Sequence, residues 1–415
     1  MLDTGAAEPE ATVPPDRRRG WSVVAAVFVV AVFAWGLGFY GLGLYLRDLS
    51  STFGWSVTAV SLVTFTFHLT ATWLTFVVSH RLARHGPRPV FLVGAVALPL
   101  GTAAVGLVGS LWQLVPAYLV LAIGWACCNS NPISATVLAW FPERSGAPLS
   151  VALTGASVGG IALIPALDAA VRAHGLRTAL AATAAVAALV LVPLAGLVIR
   201  SPRSPTRRSA ADRRQPPFRP YDSPRFWSLS LGLALGIAAQ VGLLVHQLTH
   251  LDDGFKPGTG ARLVALTTAA ALAGRLAFVA LVDRRASATV LGCAFLAAQA
   301  VALATLAASR STPAVTVACG VFGLGVGVLI TIPPLLVRRS YPDVPFTTAF
   351  PVVNVGYQLA IATGPPSVAI ARDLFDGYRP TFAVLALADV AAVVLLAWNG
   401  RLGAQRGHGG HPPAR

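Results

Sequence analysis

Twelve apolar stretches of helix length, arranged as two sets of six on either side of a basic loop, leave this chain few folds to adopt. A bilayer core takes roughly 20 apolar residues per spanning helix. The first set runs near Ser22 to Leu46, Val57 to Val78, Val90 to Leu107, Leu111 to Leu138, Pro148 to Val171 and Thr178 to Ile199. The second runs near Phe226 to Leu251, Leu263 to Leu281, Ala288 to Ala307, Pro313 to Val337, Phe346 to Ala371 and Thr381 to Trp398. With 55% hydrophobic and 11% charged residues in a chain of 415, a water-soluble fold could not hide this much apolar surface. The predicted class is an all-α membrane protein of twelve transmembrane helices.

Landmarks recur at an offset of about 200 residues while the apolar letters between them vary, as internal duplication predicts. Arg84 answers Arg284, Phe141-Pro142-Glu143 answers Tyr341-Pro342-Asp343, and Gly124 and Pro132 answer Gly325 and Pro333. Six helices per half keep equivalent helices parallel, so two parallel-repeat six-helix bundles follow. The division predicted is a tail at 1–20, a first half at 21–199, a linker at 200–225, a second half at 226–398 and a tail at 399–415.

Basic residues are retained on the cytoplasmic side of short loops. With the amino terminus inside, 22 of the 31 Lys and Arg residues fall on the cytoplasmic side and eight outside, leaving Arg275 within a helix. Both termini are therefore expected in the cytoplasm of a multi-pass cell-membrane protein. The net charge of +15 then answers to anionic lipid headgroups at that face, not to nucleic acid. Residues 1–20 lack the apolar core and small-residue cleavage site of a removable signal. The single Lys256 and abundant Ala, Arg and Gly fit a GC-rich bacterial genome.

After the second helix stands Ser79-His80-Arg81-Leu82-Ala83-Arg84-His85-Gly86-Pro87-Arg88. This resembles the pattern G-x-L-x-D-R-x-G-x-R of the major facilitator superfamily of secondary transporters, over essentially all of Trp21 to Trp398. The resemblance implies a conformational latch built from Arg84, Gly86 and Arg88, with Asp283 and Arg284 at the matching place in the second half. Ala83 replaces the family's carboxylate, which weakens the first-half latch. Gly41-Leu42-Gly43-Leu44-Tyr45 leading to Phe53-Gly54-Trp55-Ser56, then Trp140-Phe141, Gly274-Arg275 and Gly364-Pro365, are similar to the monocarboxylate and oxalate/formate branch. That branch implies that Arg275 holds a substrate carboxylate, although Ala271 stands where an acidic partner would precede it.

Arg275 carries weight without the resemblance. A bare guanidinium in hydrocarbon costs several kcal/mol, so it must face the bundle interior or a wet cavity. Its planar fork of donors suits a carboxylate, and an internal latch to a carbonyl is the alternative. Tyr40, Asn129, Asn131, His246, Asn354 and Gln358 are the polar side chains read as lining a solute pathway, with packing between helices as the alternative for the Asn and Gln residues. His68 and Asp389 are candidates for carrying a coupling proton. His246 and His250 lie one turn apart, but two ligands make no metal site.

No nucleotide-binding loop, metalloprotease helix or nucleophile motif occurs, so no cofactor, metal or enzymatic activity is predicted. The expected function is alternating-access transport of a small organic solute, an organic anion such as a monocarboxylate, with protons as a coupling ion. Efflux of amphiphilic compounds is the runner-up, and a transporter-like membrane sensor a third reading.

Overall fold

The computed structural model describes residues 17–141, 146–200, 220–255, 258–283, 287–329, 331–342, 344 and 346–408. They form twelve helical rods, and no strand occurs among the described residues. In the first half, α1 joins Arg17–Trp35, a π-helical turn Gly36–Tyr40 and Gly41–Phe53. It is followed by α2 (Val57–His85), α3 (Pro87–Leu107) and α4 (Leu111–Cys128 and Ser130–Trp140). Then come α5 (Gly146–Val158, a π turn Gly159–Leu163 and Ile164–His174) and α6 (Leu176–Pro193, ending in a π turn Leu194–Val198). The second half comprises α7 (Pro224–Gly254), α8 (Thr259–Asp283), α9 (Ala288–Ala308), α10 (Thr312–Leu329 and Ile332–Ser340), α11 (Phe346–Leu374) and α12 (Tyr378–His408).

Eleven of these rods are long and apolar enough to cross a membrane. The remaining one, α11, is diluted by Asn354, Tyr357, Gln358, Thr363 and Gly364-Pro365-Pro366. Polar content of that kind belongs to a helix with a face turned away from lipid.

Equivalent helices pack on equivalent partners. In the first half α1 lies on α5, α2 on α4 and α3 on α6; in the second α7 lies on α11, α8 on α10 and α9 on α12. Small residues permit the close approaches that drive helix association in lipid. A side chain added at Gly155 or Gly159 of α5 would run into the Phe28 and Val32 carbonyls of α1, and one at Gly274 of α8 into the backbone of Leu324 on α10.

Several rods outrun the apolar stretches that mark them. The Ser79 to His85 segment forms the last turns of α2, because nothing breaks the helix before Gly86. Gly86 turns the chain at φ 75°, where a side chain is strained, and Pro87 opens α3 without needing an N–H partner. Two spans read as continuous are interrupted. α4 breaks at Asn129, whose carboxamide oxygen accepts from the Asn131 N–H at 2.9 Å and caps the resumed helix. α10 breaks before Thr331, and the Tyr357 hydroxyl of α11 donates to the freed Leu329 carbonyl at 2.8 Å. The second break comes about one repeat after the first, and Pro132 and Pro333 lie just inside the resumed helices.

The halves meet through α1 on α7, α2 on α11 and α5 on α8. At the end remote from the start of α1, called distal below, Arg47 of α1 ion-pairs with Asp48 at 2.8 Å, with Asp168 of α5 at 2.7 Å and with Asp252 of α7. Arg172 of α5 also reaches Asp252, at 3.0 Å. Close by, Thr58 of α2 bonds Asp373 of α11. Asp252 is thus gripped by two arginines of the other half and by the Gly260 N–H of its own half at 3.1 Å.

Candidate solute-binding site

The π turns of α1 and α5 lie against each other. Gly36 faces Leu163, and Gly159 faces the Val32 carbonyl and the Gly36 nitrogen. A π turn widens a helix by one residue and re-aims its side chains, and such turns are frequent at functional sites. Here α8 packs on the α5 turn, where Gly160 abuts Thr268, and Tyr40 of α1 lies beside the Thr268 hydroxyl and within electrostatic reach of Arg275. Thr268 and Arg275, seven residues apart, share one face of α8.

Ala269, Ala273 and Ala280 form the exposed stripe of α8 that a bilayer would cover. Arg275 is two residues beyond Ala273, about 200° around the helix. It is nevertheless only half-buried. Its Nε is buried without a hydrogen-bond partner, and among the described residues no carboxylate pairs with it. An unpaired guanidinium in that position is a source of positive field.

An aromatic wall continues from Tyr40. The Phe39 ring sits 5.3 Å from Tyr40 and stacks on Trp125 of α4 at 5.8 Å and 18°; Trp125 in turn meets Trp35 edge-on at 4.9 Å. Phe39, Trp35 and Trp125 were not singled out in the sequence; the spacing of Trp35 and Phe39 by four on α1 was the available signal.

The other residues picked from the sequence separate. Asn354 and Gln358, one turn apart on α11, are partly exposed. Asn131 is exposed and donates to Ser79 of α2 at 3.3 Å. Asn129 is committed to the cap described above. His246 is fully buried: its Nε2 lies 3.0 Å from the Pro365 carbonyl and 3.3 Å from the Ser61 hydroxyl of α2, and its Nδ1 3.0 Å from the Tyr378 hydroxyl. With both nitrogens engaged, His246 ties α7 to α2, α11 and α12. His68 is buried in α2 with Nε2 unpartnered. Asp389 of α12 accepts from the Gln299 carboxamide of α9 at 2.9 Å, away from Arg275 on helices that pack together.

Arg84 and Arg88 are exposed at the α2–α3 corner on either side of half-buried Gly86. Arg284 lies outside the described residues, as do the Asp283 side chain, linker residues 201–219, residues 1–16 and residues 409–415. No group of three or more His, Cys, Asp or Glu able to hold a metal occurs among the described residues.

Two packed six-helix sets in one repeat pattern, meeting around an internal cation, define a membrane transporter fold. Residues 26–365 match the sequence model of the Major Facilitator Superfamily, and the chain belongs to that family. It is 30% identical over 279 residues to monocarboxylate transporter 11 of Homo sapiens, covering 64% of this chain and 56% of that protein. It is 32% identical over 199 residues to the fujikurins efflux protein of Gibberella fujikuroi, covering 46% and 41%. The chain thus spans about half the length of these curated relatives. Among solved structures, a mutant of the nucleoside transporter NupG superposes with a TM-score of 0.75 at 11% identity, covering 92% of this chain and 99% of that one. A bacterial homolog of the human lysosomal transporter Spinster, inward-facing and unoccupied, gives 0.70 at 17% identity, covering 94% and 98%. At these identities the two structures speak for the fold alone. The relatives and the fold are those of transporters, not enzymes.

Proposed function

We propose that this chain is a secondary active transporter of a small organic anion, most simply a monocarboxylate, working by alternating access between its halves. The observation that carries the reading is Arg275: a guanidinium on the non-lipid face of α8, without a carboxylate partner, at the place where α1, α5 and α8 meet. Tyr40 and Thr268 offer hydroxyls beside it, and Asn354 and Gln358 are further polar groups for the same pathway. The name of the human relative points the same way.

In this reading the end where α1 begins is cytoplasmic by the positive-inside rule, the membrane is the cell membrane with anionic lipid at that face, and the distal ion pairs close the outer mouth. Arg84, Gly86, Arg88, Asp283 and Arg284 are assigned to a latch at the cytoplasmic end, and His68 and Asp389 remain the candidates for proton coupling. Export of an amphiphilic compound is the second reading, favoured by the aromatic wall and by the fungal efflux relative.

Ligand-induced thermal stabilisation of the purified protein tests the choice, with small mono- and dicarboxylates screened against hydrophobic cations. Carboxylate stabilisation that vanishes in Arg275→Gln supports anion transport. A response to hydrophobic cations alone rejects it.

A further inference from the structure

The first half contributes no charge to the centre of the molecule; it contributes flat rings. On α4 the stripe a bilayer would cover is Trp112, Leu119 and Ile123, exposed by 71%, 37% and 36%. Trp125 comes two residues after Ile123, about 200° away. It is still only half-buried, so its exposed surface opens inward and not toward lipid. Phe39, stacked on it, is half-buried as well. Among the described residues the Trp125 indole N–H makes no hydrogen bond, whereas those of Trp140 and Trp227 each donate to a backbone carbonyl. A polar donor and two ring surfaces are therefore left uncovered on the side facing the other half.

These rings are continuous with the cation. Trp125 stacks on Phe39, Phe39 adjoins Tyr40, and Tyr40 lies beside Thr268, which shares its face of α8 with Arg275 and is itself packed on Gly160 of α5. A short hydrophilic acid would satisfy Arg275 and leave the rings wet. A carboxylate carrying a flat apolar body would satisfy both at once.

From this juxtaposition we infer that the solute is an aryl or similarly flat apolar carboxylate, its carboxylate on Arg275 and Tyr40 and its ring against Phe39 and Trp125. The inference rests on the anion reading above and narrows it. Offset or edge-on ring pairs contribute beyond simple area burial, so the ring makes a measurable difference to affinity. It also accounts for a site that combines a carboxylate fork with the aromatic lining expected of an amphiphile exporter.

The test compares acetate, benzoate and neutral benzamide by calorimetry or thermal stabilisation on the full-length protein in detergent or nanodiscs. Benzoate should bind about tenfold or more tighter than acetate, a margin set by ring burial and stacking, and benzamide should bind worse than benzoate. Trp125→Leu should erase the gap between benzoate and acetate while acetate binding persists. Arg275→Gln should weaken both acids alike. Phe39→Leu serves as the second wall variant where Trp125→Leu does not fold, and Trp125→Phe should restore part of the gap.

Equal binding of acetate and benzoate by the unaltered protein overturns the inference and leaves the anion reading standing. So does a Trp125→Leu variant that folds and weakens both acids equally, since that is a structural effect. Binding of neither acid, with Arg275→Gln without consequence, overturns both.

Discussion

Replacing Arg275 with Gln in carboxylate-free buffer should make the empty protein more stable, and the sign of the change decides what the arginine is for. On the insertion scale an arginine at the centre of a spanning helix costs about 2.5–3.5 kcal/mol. Arg275 is only half-buried, so about half that cost, roughly 1–2 kcal/mol, is what its removal should return. For a chain of this size that corresponds to a rise in apparent melting temperature of about 1–2 °C. If the guanidinium instead held the helices together through a buried internal partner, its loss would cost about 3–5 kcal/mol. Melting monitored by intrinsic fluorescence in one detergent, with and without ligand, separates the cases. A ligand at 100 times its dissociation constant should stabilise the unaltered protein by about 2.7 kcal/mol and leave the variant unmoved. A variant that melts several degrees lower when empty refutes the view of Arg275 as a vacant anion site.

Two further outcomes follow from the contacts between the halves. Asp252→Asn removes the one carboxylate through which α7 is held by Arg47 and Arg172, while the first half keeps two arginines against Asp48 and Asp168; spin-label distances between exposed Thr52 and Arg310 should lengthen or broaden, and an unchanged distribution would show that the ion pairs do not hold the distal end shut. Gly160→Ala would place a methyl about 2.5 Å from the Thr268 hydroxyl and should destabilise the protein by about 1–3 kcal/mol through overpacking. Thr268→Ala in the same chain should recover much of that loss in a double-mutant cycle, and strictly additive effects would mean the two positions do not touch.

The fold was legible because the bilayer writes it in hydropathy: every backbone polar group must be paired within its own helix, and the apolar letters follow. Even α11, the one rod too polar to count as a span on length and composition, stands out in the sequence as an apolar stretch from Phe346 to Ala371. Helix ends beyond the apolar zone were not legible, since α2 continues through His80 to His85 in letters that suit water and helix equally. The π turns left a trace in the glycines at 36, 38, 159 and 160, but clusters of glycine serve packing as readily as bulges. Arg275 stood out as the lone basic residue inside a span. Trp125 did not, because aromatic residues are common on lipid faces and only the assembled fold shows which way one points. The distal ion pairs were invisible for another reason: Arg47 and Asp252 are 205 residues apart, and no local spacing links them. The partners of His246 were hidden on the same ground, since one of them, Tyr378, arrives 132 residues later.

The split of chemistry between the halves bears on mechanism. The cation belongs to α8 of the second half, while the rings and the Tyr40 hydroxyl belong to α1 and α4 of the first. A ligand shifts a conformational equilibrium only by its differential affinity for the two states. If each half carried a complete site, a solute would bind one half and leave the other indifferent to it. With the site divided, a bound anion draws its full affinity only from arrangements that bring both halves against it, and less from those that part them. On the reading proposed above, that division is what couples solute to movement, and it predicts that Trp125 and Arg275 substitutions will be non-additive in binding although they sit on different halves.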